Sequence, residues 1–304
     1  MIKIPSALIL AALLGVLPMA SAQAQSSRSF VSAANGNDAN DCSRPTPCRT
    51  LSAAHDKTAA NGEITVLDPG GYGGLIITKA ISIVNDGVGE ASMLVSGVGN
   101  SITIDAGPDD AINLRGLTIQ GIDNGGGGGI AFTGGKSLTI ENCVIRNLSG
   151  YAIFFIPKTG VGKLTVSNTL IADNYAGISV LSVGPVSVAL NRVEAHNNFQ
   201  WGFFINNANA VVVDSVATGN GYGLRAIEGA KVTVIRSVMS NNVNGVAVGG
   251  TAAIVRVGQS ALTGNSANGW VVQGMNGSAV QSYGDNYIDG NGQGDPAPPA
   301  IARK

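Results

Sequence analysis

The side chains best suited to acid–base or metal chemistry are six scattered carboxylates, Asp173, Glu194, Asp214, Glu228, Asp285 and Asp289, and one adjacent pair, Asp109-Asp110. A calcium site needs several oxygens converging on one point, and a glycosidase needs two carboxyl groups at a fixed separation. Neither need is visibly met. Asp109 and Asp110 are neighbours, and neighbours on a strand point to opposite faces; Gly107-Pro108 just before them marks a turn instead. His55 and His196 have no finger-like spacing to the three cysteines. No Gly-x-Ser-x-Gly elbow is present. The glycine run 125–129 lacks the sequence that completes a phosphate loop, so it reads as a loop joining two repeats. Cys143, in Glu-Asn-Cys-Val-Ile, suits a small buried side chain better than a nucleophile. Catalytic residues therefore stay unknown at this level and no metal site is identified. No cofactor is evident, and calcium is the only one to consider.

The aromatic residues are few but ordered. Tyr151, Tyr175, Phe199, Trp201, Tyr222 and Trp270 each follow shortly after an Asn. If the chain stacks repeat on repeat, these rings line one edge. Rings offer apolar stacking to the flat face of a sugar while amides bond its hydroxyls. Tyr151, Tyr175, Trp201, Tyr222 and Trp270 are accordingly candidates for carbohydrate contact. Arg225 joins them, because it falls at an outward position if Leu224 and Ala226 face inward.

The elements that would position these residues form a repeat. Segments resembling residues 164–180 recur every 22–26 residues around Leu114, Ile140, Val166, Val188, Val212, Val234, Val257 and Tyr283. At least two further repeats precede them. Each opens with alternating apolar residues, such as Leu164/Val166 or Val232/Val234, which marks a strand with one buried face. A second short apolar run follows, then an Asn, then Gly three or four positions later, then a third apolar run such as Ile178–Val180, Phe203–Ile205 or Val246–Val248. Three short strands per repeat describe a parallel β-helix, whereas propeller blades need about forty residues. About ten coils are expected over residues 63–292, a rod on the order of 45 Å long at strand spacing. Asn147, Asn174, Asn198 (or Asn197), Asn220, Asn242, Asn265 and Asn291 fall at matching places. Asn tolerates the left-handed backbone region, and stacked amides can hydrogen-bond along a column, so a structural ladder is expected. A less regular second column runs through Asn142, Asn168, Asp214 and Asp285.

The ends differ from the repeats. Residues 1–22 read as a signal peptide, with Lys3, an apolar stretch at 7–17 and the small-residue site Ala20-Ser21-Ala22. That apolar stretch is too short to span a bilayer, and no later one approaches the length. A secreted or periplasmic protein without a transmembrane segment is expected. Residues 23–62 read as an N-terminal cap. Within it, residues 49–58 suit a short amphipathic helix, with Thr50 or Ser52 as N-cap. Cys42 and Cys48 flank Ser-Arg-Pro-Thr-Pro; in an oxidising compartment they are expected to pair, a pair of metal ligands being the alternative. Residues 293–304, rich in Pro and Ala, read as a disordered tail. The formal net charge is −1 and no basic run occurs, which argues against a nucleic-acid partner. Oligomeric state is not readable.

Four segments together carry a resemblance. They are Phe30-Val-Ser-Ala-Ala-Asn-Gly-Asn-Asp-Ala-Asn-Asp-Cys, Pro47-Cys-Arg-Thr-Leu, Gly62-Glu-Ile-Thr-Val-Leu-Asp-Pro-Gly-Gly-Tyr-Gly-Gly and Ile77-Thr-Lys-Ala-Ile-Ser-Ile. They resemble the N-terminal portion of bacterial secreted right-handed parallel β-helix repeat proteins, and the repeats behind them resemble the pectin-lyase-like superfamily. The resemblance implies an all-β, right-handed parallel β-helix with a short capping helix. It does not imply one activity, since that superfamily holds lyases, hydrolases, esterases, adhesins and members without known activity. The expectation is an exported protein that binds a polysaccharide along its flank, with cleavage as an extension. A non-enzymatic cell-envelope scaffold and a calcium-dependent polysaccharide lyase or glycoside hydrolase are the alternatives.

Overall fold

The computed structural model describes residues 25–122, 127–274 and 276–302. The expected signal peptide and part of the glycine run lie outside the described residues. The chain forms a parallel β-solenoid whose coils each contribute a strand to three faces. The third face holds nine strands, and the first and second faces continue into a partial tenth coil, close to the expected ten. One coil, for example, runs through Asn209–Val213, Val216–Thr218 and Tyr222–Ile227, and the next through Lys231–Ile235, Val238–Ser240 and Asn244–Gly249.

The alternation read from the sequence puts the apolar rows inside. Ile83, Leu114, Ile140, Val166, Leu190, Val212, Val234 and Val257 pair coil to coil and are buried. Two register marks are corrected here. Val166 pairs with Leu190, not Val188, and Val257 pairs with Ser282, not Tyr283.

Two turns carry internal ladders. Between the second and third faces the buried amides of Asn174, Asn198, Asn220, Asn242, Asn265 and Asn291 stack. Each Oδ1 accepts the backbone N–H and the Nδ2 of the Asn one coil before, as Asn242 does from Asn220 at 2.9 and 3.0 Å. Each Nδ2 also donates to a second-face carbonyl one coil before, as Asn242 does to Ala217 at 3.0 Å. The ladder begins where the Leu148 N–H donates to Asn174. Asn147 is therefore not a rung: it is exposed, in the preceding column. That column, Asn147, Asp173, Asn197, Gly219, Asn241, Gly264 and Gly290, is where φ is positive. The left-handed preference of Asn thus explains Asn147 and Asn197, whereas hydrogen bonding explains the ladder.

Between the first and second faces the positive-φ column is Asn142, Asn168, Arg192, Asp214, Arg236 and Gln259. The residues after it form a second, hydroxyl ladder: Ser215, Ser237 and Ser260 are buried, and each accepts the N–H one coil before at 3.1 Å. Cys143 occupies the same row. Its thiol donates to Glu141 O as Ser215 Oγ donates to Val213 O, and burial pushes its pKa up to about 11. That is the small buried side chain expected, inert as a nucleophile.

Both ends of the stack are covered. At the N-terminal end, Ser26–Val31 adds a strand to the first face, and the Cys42–Cys48 disulfide loop pairs along its outer edge: Phe30 N–H donates to Cys42 O, and Cys48 N–H to Phe30 O. Helix Leu51–Lys57 closes the first coil, with Thr50 as N-cap accepting from Ala53 N–H at 3.2 Å. At the C-terminal end the expectation of a disordered tail is corrected over the described part. Residues 293–302 fold back, Ala300 bridges Ser282, and Ile301 N–H donates to Ser282 O at 2.8 Å. Asp295 closes the Asn ladder by accepting from Gly290 N–H, Asn291 N–H and Asn291 Nδ2.

Candidate functional site

The outward rows of the third face hold the aromatic candidates. One row runs Tyr151, Ala176, then Trp201, Tyr222, Asn244 and Asn268; the next runs Phe154, Ser179, Phe204, Arg225, Ala247 and Val271. Both rows face out because the residues between them, such as Ile153, Phe203 and Leu224, fill the core.

The rings interlock. Tyr151 stacks on Phe154 with centroids 4.8 Å apart, and Trp201 stacks on Phe204 at 4.6 Å. Trp201 Nε1–H donates to Ser179 Oγ at 2.7 Å, which lays the indole against the sheet. At the adjoining turn Tyr175 meets Tyr151 edge-on at 6.1 Å and stacks on Phe199 at 5.9 Å. Phe199 is 74 % exposed, high for so large an apolar ring. Below Trp201, the Arg225 guanidinium lies over the Tyr222 ring at 4.9 Å. Asn268 Nδ2 donates to Asn244 Oδ1 at 2.9 Å, placing two amides next to Tyr222 in its own row. The structure thus brings together Tyr151, Tyr175, Trp201, Tyr222 and Arg225. It adds Phe154 and Phe204, which share Arg225's row and were legible only once that row was recognised as outward.

Trp270 is placed elsewhere. It pairs with Val246 in the inward row, packs against the core, and its Nε1–H donates to Pro296 O at 2.6 Å. It is the lid of the last full coil, with the C-terminal strap over it.

The carboxylates stay apart. Among the described residues, no three His, Cys, Asp or Glu side chains group so as to hold a metal ion. Asp214 bonds Arg236 at 2.8 Å, and the Arg236 guanidinium holds its carboxyl below the usual range. Glu194 contacts His196 Nε2 at 3.1 Å on the exposed second face, and Asp173 accepts from Asn197 Nδ2 at 3.3 Å. A depression of about 810 Å³ lies on the first face, lined by Arg256, Gln281, Tyr283 and Ile301. It is open, belongs to a different face from the aromatic rows, and holds a single carboxylate, Asp285, together with Arg256 and Tyr283. His55 is buried under the cap. Its Nε2 accepts from Thr78 N–H at 3.4 Å, and burial, aided by the charge of Lys79, lowers its pKa.

Comparison with known proteins agrees with this architecture. A pectate lyase, Pel9A, has a similar structure with a TM-score of 0.65 at 18% identity, covering 92% of this chain and 79% of that one. The A-module of the Azotobacter vinelandii mannuronan C-5 epimerase AlgE6 gives 0.58 at 19% identity, covering 79% and 70%. A search of curated proteins finds no match. Among the described residues, no helix is long and apolar enough to cross a membrane. The family model described as "Right handed beta helix region" matches residues 102–267, more than half of the chain, and the chain belongs to that right-handed parallel β-helix family.

Proposed function

We propose that this protein is an exported polysaccharide-binding β-helix, and that the glycan lies on the third face across the coils from Tyr151 to Tyr222. The observation that carries this reading is the pair of stacked ring couples, Tyr151–Phe154 and Trp201–Phe204, set on one parallel sheet. The couples sit two coils apart, about 10 Å at strand spacing, a distance that suits every second ring of an extended glycan. Rings held by their neighbours offer stacking surface at little cost in side-chain entropy. The part-exposed amide of Asn268, bonded to the buried amide of Asn244, continues the row with a group that hydrogen-bonds hydroxyls. A solenoid repeats its surface along the axis, which suits a repeating polymer. The solved structures of like fold are named for pectate and mannuronan, which supports a carbohydrate-related role. Export is supported by the leader-like residues 1–22 and by the Cys42–Cys48 disulfide.

The test is retention on insoluble neutral and acidic glycans, with ultraviolet absorbance of unsaturated products followed in parallel. The wild-type chain is expected to be retained, and Trp201→Ala with Tyr151→Ala to weaken retention by about tenfold, as the loss of two stacking contacts implies. No retention on any glycan overturns the reading in favour of a scaffold. Formation of unsaturated product extends it to a lyase.

A further inference from the structure

Arg225 is a cation set among aromatic rings without an anion of its own. Arg236, Arg115, Lys158 and Arg28 pair with Asp214, Asp86, Asp105 and Glu63, while Arg146 and Arg192, which form no salt bridge among the described residues, bond the exposed side-chain amides of Gln120 and Asn168. Among the described residues no carboxylate forms a salt bridge with Arg225. Its neighbours along the outward row are Phe204 and Ala247, both buried, and its guanidinium rests on the Tyr222 ring. Its Nε is enclosed and has no hydrogen-bond partner. An enclosed donor without an acceptor is a cost to the folded chain. The apolar surroundings also lower the local dielectric, so an approaching anion feels this charge more strongly than that of a solvated arginine. A guanidinium presents parallel donors that match the two oxygens of a carboxylate or sulfate, and stacking on Tyr222 fixes its plane.

We infer that the glycan bound on the third face carries an anionic substituent, a carboxylate or a sulfate, and that Arg225 is the specificity-determining residue that reads it beside Trp201 and Tyr222. This rests on the glycan reading above. The roles are separable: the rings bind any sugar face, and Arg225 adds the charge discrimination.

The experiment compares retention of the full chain on a neutral polymer, a polyuronate and a sulfated polymer, for wild type, Arg225→Gln and Trp201→Ala, with thermal melts confirming that both variants fold. Arg225→Gln is expected to weaken retention on the polyuronate or the sulfated polymer about tenfold and to leave the neutral polymer unchanged. Whichever anionic polymer responds identifies the group. Arg225→Lys is expected to restore only part of the loss, because an ammonium keeps the charge without the fork. If Arg225→Gln changes no polymer, or weakens all three equally, the inference is overturned. Trp201→Ala then decides the underlying reading: weakened retention keeps the glycan face without the charge rule, and unchanged retention on every polymer overturns both.

Discussion

Gly223 sits directly against the Asn242 amide: a Cβ added to Gly223 would lie 2.9 Å from Asn242 Nδ2 and 2.6 Å from Gly245 O. The same relation recurs one coil on, where a Cβ on Gly245 would lie 2.9 Å from Asn265 Nδ2. The Asn ladder and the glycine three positions after it are therefore one device. The amide needs the space that the missing side chain leaves. Gly223→Ala should cost roughly 1–3 kcal/mol, as overpacking does. Asn242→Ala removes the acceptor of Asn220 N–H and the donor to Ala217 O, two buried groups. At about 1–3 kcal/mol for each orphaned group, it should cost more than the glycine change. Urea unfolding of both variants checks this; an Asn242→Ala midpoint equal to wild type would remove the ladder from the account of stability.

Trp270 and Trp201 separate end-capping from surface contact. Trp270 shields the inward row of the last full coil and is tied to Pro296 O, whereas Trp201 lies on the outward row. Trp270→Ala should lower stability by about 2–4 kcal/mol, the range for removing a large packed ring reduced for its partial exposure. Glycan retention of the folded fraction should not change. Trp201→Ala should do the reverse. Melting temperatures and retention measured on the same two variants read both quantities. A Trp270→Ala chain that melts normally but loses retention would contradict the assignment.

The contrast between those two tryptophans shows what the sequence could and could not reveal. The coil period and the three strands per coil were legible, because inward Val, Ile and Leu alternate for long stretches. Exact register was not. In Val186–His196 the residues Val186, Val188 and Leu190 all face inward, so each is an equally good mark and only strand pairing selects Leu190. Asn147 lies one position before the ladder, and its type does not reveal this, because two adjacent columns favour Asn for different reasons, one for positive φ and one for hydrogen bonding. Arg192, Arg236 and Gln259 adopt positive φ without being residues that prefer it, so their column looked sparse. Trp270 follows an Asn-Gly pair as Tyr222 does, but Asn268 is the residue in register with Tyr222, so Trp270 lies two positions further on, in the inward row of Leu224 and Val246. The strap at 293–302 was hidden by its composition, since the contacts that fix it use backbone carbonyls of Pro296 and Pro299. On the aromatic face, Tyr151, Trp201, Tyr222 and Arg225 were legible by spacing, while Phe154 and Phe204 read as core.

The Cys42–Cys48 bridge holds the loop that covers the outer edge of Ser26–Val31. Uncovered strand edges invite pairing with other chains. Replacing both cysteines by Ser should therefore do two things. It should lower stability by about 2 kcal/mol, the scale for a short closed loop, and it should promote self-association on mild heating. Differential scanning calorimetry with light scattering, on the native protein and the Cys42→Ser/Cys48→Ser variant, separates the two. Equal melting and equal scattering would leave the bridge without a structural role.

His55 gives the cap a pH dependence of defined sign. Its imidazole is buried, and Nε2 accepts from Thr78 N–H, which requires the neutral ring. Burial first, and the Lys79 charge second, depress its pKa below the ordinary 6.5, against a smaller opposing pull from Asp56. The folded chain thus holds fewer protons on this group than the unfolded chain once pH falls below 6.5. The His55 contribution is complete above that value and is lost progressively as pH drops toward the folded-state pKa. Unfolding midpoints should be flat from pH 8 to about 6.5 with respect to this group and should then decline. In His55→Gln the decline should be shallower, because glutamine does not titrate. A variant whose midpoint falls as steeply as that of the wild type between pH 6.5 and pH 5 would place the acid sensitivity in other groups.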